Sequence, residues 1–411
     1  MKEWMSMQTI IFLGTRRHGT SREALQVAKE MAYFTVLFTD KRGIGKKPDE
    51  FPEVDEIIFM EDIFLKEELM NKIQKLQVEG KVICACVSFI DPYVSYAAGI
   101  SGELGLNPIS SEALYEAESK VKVRKKLMGM DSSPTFFVFE KQVSSEEFAA
   151  AHKDFLPLIL KPAESNGSKG IKLVKTEREM AEGMHYLQTK HPDIPILAEE
   201  YLEGPQYLIE VVVYRGEVSI IAVIEQECSK SFLIKGYKYP AELPAWQDIT
   251  LKRTIYDMLF HMGLSTGSCH FEMRSVQGKW KLVEINPRMS GGAMNRLIEE
   301  GTGINLVKEI LKMNVGEAPL LSPLFKKCTY MKYLTVDVWG KLLHVSGQDR
   351  ALLLEGVKYV YVKAEKGSIL SPPRSMGDRY ACIITCAESI ERARGIAREA
   401  AKELKFYVEP L

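Results

Sequence analysis

The chain has 411 residues, 46% hydrophobic and 27% charged, with a formal net charge of −1. That apolar content supports a large buried core and about two to three domains. The near-zero balance makes no electrostatic case for nucleic acid or an anionic membrane as partner, and no apolar run reaches the roughly 18 residues of a membrane span.

The opening MKEWMSMQTIIFLG carries an apolar run too short for a secretory core and leads straight into a strand, so the reading is of a cytoplasmic protein. Seven cysteines lie scattered, and only Cys84 and Cys86 are close together. No second pair follows at metal-site spacing, so reduced thiols are expected.

QTIIFLG (8–14), FTVLF (34–38), Glu56–Phe59 and 82–89 read as strands, with helical periodicity after Thr20 or Ser21 and over 64–77. Strands alternating with helices predict a parallel sheet with helices on its faces. The loop Gly14-Thr-Arg-Arg-His-Gly19 is not GxGxxG, and no acidic residue follows at dinucleotide spacing. A substrate or interface role at Arg16, Arg17 or His18 fits it better than a nucleotide.

Residues 111–128 (SEALYEAESKVKVRKKLM) read as one polar connecting helix. Lys120 and Arg124 stand at i and i+4 and share a face, which periodicity alone reads as solvated. Two strands follow, 134–139 and 156–161. The second ends on Lys161 and enters the polar loop PAESNGSKG, then the strand IKLVK and a helix over 177–187. Glycine frees backbone N–H groups to approach phosphate oxygens, so this hairpin can fold over a triphosphate.

The segment 196–198 is a strand that breaks into the acidic bend EEYLEGPQ. Such a bend offers backbone groups to a base edge and carboxylates to ribose hydroxyls. Strands over 207–214 and 217–225 form a hairpin across Arg215-Gly216. A helix over 250–262 leads to FEMRSVQGKWKLVEINPRMSGG (271–292), two strands around Val276-Gln277-Gly278-Lys279. Side chains alternate along a strand. Glu284, Asn286 and Arg288 therefore point one way, and the hairpin brings Glu272 opposite them. Hard oxygen ligands of this kind suit Mg²⁺, which keeps waters and substrate phosphates in its shell. The arginine suits a phosphate or carboxylate. His270, at i−2 from Glu272, shares its face, as a packed histidine or as a substrate or metal contact. Beyond 293–314, mostly helical, strands alternate with turns to about 380, and a last helix covers 389–405.

In this order the motifs resemble the ATP-grasp superfamily from about residue 115 onward, and the region before them resembles its N-terminal pre-grasp domain. The resemblance implies an α/β and α+β architecture. It has a parallel N-terminal domain (1–113), a connecting helix and lid domain (114–200), and a catalytic domain with an α+β extension (201–411). It implies ATP contacts from Lys120 and Lys161, from the lid residues Ser165, Gly167, Ser168 and Gly170, and from a hinge at Glu199, Glu200, Tyr201 and Leu202. Many members place a ribose glutamate where this chain has Gln206, so Glu203 is the substitute candidate. Glu272, Glu284 and Asn286 match the metal ligands, for two Mg²⁺ with Mn²⁺ able to substitute. Arg288 and Lys161 match catalytic positions, and Arg288, Gly291, Gly292 and His270 the substrate side.

Within the superfamily the length and C-terminal region resemble the L-amino acid ligases, bacterial dipeptide-forming enzymes that include members of antibiotic pathways. That likeness implies two amino acids as substrates, arginine among the candidates for the first, and a homodimer. An arginine pocket needs a carboxylate, and Glu225, Glu227 and Asp248 are available. Other ATP-grasp chemistries, such as carboxylation, and a silent nucleotide-binding module are the competing readings.

Overall fold

The computed structural model describes residues 7–45, 48–106, 109–140, 143–164, 170–229 and 233–411. The chain opens with β1 (Met7–Leu13), α1 (Thr20–Glu30), β2 (Phe34–Thr39), α2 (Arg42–Gly45), β3 (Glu56–Phe59), α3 (Lys66–Val78), β4 (Lys81–Val87) and α4 (Tyr93–Glu103). The four strands form a parallel sheet in the order β3-β2-β1-β4, as the alternation predicts. Both faces are apolar, with Ile10, Phe12 and Leu25 in one cluster and Ile11, Leu13 and Phe38 in another. Gly19, not a hydroxyl side chain, precedes α1 as its cap.

The expected single helix over 111–128 is two helices, α5 (Ser111–Ala117) and α6 (Lys120–Lys126). Ser119 ends the continuity, because its side chain accepts from the Lys122 N–H as an N-cap. The shared Lys120/Arg124 face is not solvated: Arg124 is only 2% exposed. The chain continues with β5 (Phe136–Phe139), α7 (Ser145–His152), β6 (Leu158–Pro162), β7 (Lys172–Val174), α8 (Glu177–Lys190) and β8 (Ile196–Glu200). These strands form an antiparallel sheet in the order β5-β8-β6-β7. Phe139, Leu158, Leu160, Met180 and Met184 pack α7 and α8 onto it.

An eight-stranded sheet, β13-β12-β9-β10-β11-β14-β18-β16, forms the body of the molecule. It takes β9 (Gln206–Tyr214), β10 (Glu217–Cys228) and β11 (Ile234–Tyr239) before α9 (Ala245–Met262), then β12 (Gly267–Val276) and β13 (Lys279–Asn286). After α10 (Met294–Thr302) and α11 (Leu306–Asn314) come β14 (Cys328–Leu334), β15 (Gly340–Ser346), α12 (Gln348–Leu352) and β16 (Val357–Val362). The chain ends with β17 (Ile369–Leu370), β18 (Ala381–Ala387), α13 (Ile390–Glu403) and β19 (Lys405–Pro410). β17, β15 and β19 form a separate three-stranded sheet.

Leu208, Ile224, Met331 and Ile384 on one face of the large sheet share a core with α10, α11 and the N-terminal sheet. On the opposite face, Tyr207, Ile209, Phe271 and Leu282 pack against α9. The β12–β13 turn is built on Gln277 (φ 49°) and Gly278 (φ 82°), the two left-handed residues that match the twist of a two-residue hairpin. All seven cysteines are free thiols.

Candidate functional site

The hairpin register places Glu272 directly opposite Glu284 and His270 opposite Asn286. Directly opposed residues share a face, so the two carboxylates and the amide form one surface. β9 lies on the other side of β12, with Glu210 opposite His270 and Gln206 opposite Arg274. Each carboxylate has a nitrogen partner. Lys120 Nζ lies 3.2 Å from Glu284 Oε1. Gln206 Nε2 donates to Glu272 Oε2 at 2.8 Å. Arg274 donates to Gln206 Oε1 at 3.1 and 3.2 Å and to the Leu202 carbonyl at 2.7 Å. The bend and the hairpin are thus joined through Gln206.

His270 is buried, with Nδ1 2.7 Å from Glu210 Oε1 and Nε2 3.7 Å from Glu272 Oε1. Burial alone would depress its pKa, but the Glu210 and Glu272 carboxylates overcome that and push it up to about 10. Burial works the other way on Glu272, yet the neighbouring His270, with Lys161 and Lys120, holds it below its ordinary value.

Behind this surface lies a sealed triad. Arg124 donates through Nε to Glu199 Oε1 at 2.7 Å, and through Nη2 to the Val283 carbonyl at 2.7 Å. Lys161 Nζ stands 2.6 Å from Glu199 Oε2. Burial would raise Glu199, and the two cations outweigh it, holding the carboxyl down to about 2. Burial also pulls Lys161 below its ordinary value, against the attraction of Glu199. Glu199 lies inside β8, paired with Phe136 and Ile159, so its carboxylate is occupied by ion pairs and does not face an open bend. Glu200 accepts from the Thr135 N–H and faces Lys281, whereas Glu203 is exposed. Of the expected lid, Gly170 is described and packs near Pro162 with φ 75°. Ser165, Gly167 and Ser168 lie outside the described residues.

Arg288 lies just past β13 and forms a two-pronged ion pair with Asp91, Nε to Oδ1 at 3.0 Å and Nη2 to Oδ2 at 2.5 Å. Asp91 belongs to the loop at the carboxyl end of the parallel sheet, where ligands of such sheets gather. Gly291 and Gly292 follow, and the segment is seated on α1: Thr20 Oγ1 donates to the Ser290 carbonyl at 2.9 Å. A Cβ at Gly19 would stand 3.2 Å from the Gly292 nitrogen, so the Gly14–Gly19 loop and this segment approach backbone to backbone. In that loop Arg17 pairs with Glu50, and the His18 ring lies 5.3 Å from Tyr361.

The carboxylates available for an arginine side chain are all engaged within the chain. Glu225 pairs with Lys238, Glu227 takes Tyr330 Oη–H and Arg394, and Asp248 pairs with Lys252 on the exposed face of α9. Glu210, Asp91 and Arg274 escape sequence reasoning, which sees Arg124 only as a solvated charge. The one available signal was a lone glutamate on the strand YLIEVVVY, a charge that burial must pair.

For a metal, Glu272 and Glu284 offer carboxylate oxygens and Asn286 an amide oxygen on one surface. Among the described residues no group of three or more His, Cys, Asp and Glu is arranged to hold an ion. A hard cation that completes its shell with substrate phosphates fits this donor set, and a structural zinc does not.

Comparison with known proteins supports the fold. The ATP-grasp domain matches residues 155–296, and the L-amino acid ligase C-terminal domain 2 matches 332–409. The uncharacterized protein y4rH of Sinorhizobium fredii is 28% identical over 259 residues, covering 62% of this chain and 54% of that protein. The chain therefore spans about half the length of that relative. Dapdiamide A synthase of Enterobacter agglomerans is 22% identical over 330 residues, 70% of this chain and 76% of that one. The crystal structure of an L-amino acid ligase from Bacillus licheniformis superposes with a TM-score of 0.79 at 19% identity, covering 98% and 99% of the two chains.

Proposed function

We propose that this chain, which has the ATP-grasp fold and carries an L-amino acid ligase C-terminal domain, is an ATP-dependent ligase joining the carboxylate of one L-amino acid to the amine of another. The observation that carries the reading is Glu272 facing Glu284 on the hairpin, with Lys120 on one of them and Arg288 at the hairpin's end. A module without turnover has no use for both carboxylates and the arginine.

In the proposed first step a carboxylate oxygen of the first amino acid attacks the γ-phosphorus of ATP, ADP leaves, and an acyl phosphate forms. In the second, the amine of the second amino acid attacks the acyl carbon, loses a proton, and expels phosphate as the peptide bond closes. The first step depends on position and charge. Lys120 and Lys161 would meet the phosphates and Arg288 the transferred phosphoryl group and the acyl carboxylate. Glu272, Glu284 and Asn286 would hold Mg²⁺, two ions in this reading with Mn²⁺ a substitute, and the bound metal supplies charge neutralisation on the phosphates. Arg288 and the N–H groups of Gly291 and Gly292 are the candidate donors to the tetrahedral oxyanion.

The hinge would seat adenine along Tyr201 and Leu202. With Gln206 committed to Glu272 and Arg274, exposed Glu203 is the better ribose candidate. The lid over Ser165–Gly170 would exclude water, which otherwise hydrolyses the acyl phosphate. The division at about 113 and 200, the cytoplasmic location and the homodimer belong to the same reading.

The test is ATP turnover with single and paired L-amino acids, arginine included. The expected products are a dipeptide, ADP and phosphate in equal amounts. Bicarbonate-dependent release would favour the carboxylase chemistry, and no release with any pair would sink the ligase reading.

A further inference from the structure

Glu210 is 0% exposed in the middle of β9, and its two oxygens do different things. One stands 2.7 Å from His270 Nδ1, and the other accepts from the Ser290 N–H at 3.2 Å. An ionised carboxylate only accepts hydrogen bonds, so the contact with the ring requires the proton on Nδ1. The contact orients the ring so that Nε2 faces Glu272 Oε1, 3.7 Å away. Ser290 sits between Arg288 and Gly291, in the segment whose carbonyl is tied to Thr20. A wholly buried carboxylate is costly unless both oxygens are satisfied, and both partners here belong to the candidate site.

We infer that Glu210 is a positioning residue that ties the metal carboxylate Glu272, through His270, to the Arg288–Gly292 segment, so that ion binding and the placement of that segment depend on one another. The inference rests on the proposed role of Glu272 as a metal ligand. Glu210 touches no substrate. It fixes the ring that fixes a ligand, and groups of that kind typically cost about 10–100-fold in metal affinity when altered.

Glu210→Gln isolates the effect, because an amide accepts on one side only: it must give up the Ser290 N–H, or keep it and turn its NH2 to a His270 ring that has lost the proton on Nδ1. Mn²⁺ affinity of the ADP-bound protein, measured by electron paramagnetic resonance, should fall about 10–100-fold. Hydrogen exchange at the Ser290–Gly292 amides should rise. His270→Asn should lower Mn²⁺ affinity and leave those amides protected, and the double variant should be no worse than Glu210→Gln alone. Mn²⁺ affinity within twofold of the parent in Glu210→Gln, or additive losses in the double variant, overturns the inference and leaves the ligase reading standing. If Glu210→Gln does not fold, His270→Asn decides, and unchanged affinity there overturns it. A parent protein that binds no Mn²⁺ with ADP overturns the metal reading and the inference with it.

Discussion

Two ion-pair clusters flank the candidate site, and they differ in how far water reaches them. In the Arg124–Glu199–Lys161 triad the side chains are 2%, 6% and 6% exposed. In the Arg288–Asp91 pair they are 17% and 15% exposed. The sealed triad cannot trade partners without stranding a buried charge, so it fixes where the Lys161 ammonium sits. In the proposed reading the more open pair gives up Asp91 to an anionic ligand. The triad thus positions the Lys161 ammonium in that reading, and the Arg288 pair serves ligand exchange at the hairpin's end.

The contrast can be broken at either cluster. Glu199→Gln leaves two buried cations facing one amide, and should destabilise the fold by about 3–5 kcal/mol, read as a shifted denaturant midpoint. An unchanged midpoint would mean the triad is not sealed. Arg288→Ala should leave that midpoint nearly in place while lowering the rate of phosphate release by about 10²–10³-fold. A stability loss as large as that of Glu199→Gln would erase the distinction.

Acid sharpens it. The folded Glu199 carboxyl is held at about 2, below its ordinary 4.5. Its stabilising contribution is therefore present above about 4.5 and is lost as pH falls from there toward about 2. The parent should lose more stability over that range than Glu199→Gln, and parallel acid titrations would refute the assignment. Asp248→Ala, which removes an exposed i,i+4 pair with Lys252, should change stability by less than about 0.5 kcal/mol and leave the choice of amino acid unaltered. A shift in substrate preference would return Asp248 to the arginine pocket.

The two clusters also differ in how well the sequence announces them. Arg288 follows Glu284 and Asn286 in steps of two, and a two-residue turn fixes Glu272 opposite, so period and turn chemistry expose that side. Arg124 stands in KVKVRKK, where helical periodicity sees only charge. Its partner Glu199 is 75 residues away, brought within reach where α6 packs against β13. The break at Ser119 was hidden in the same way, because the polar pattern runs through the cap without interruption. Asp91 and Glu210 are single acids whose partners come from other elements, and no local period marks them.

Hydroxylamine trapping tests the central claim most directly. With ATP, Mg²⁺ and one amino acid, but no second, the account predicts an amino acid hydroxamate formed in equal amount with ADP. ATP binding with no hydroxamate from any amino acid would contradict it.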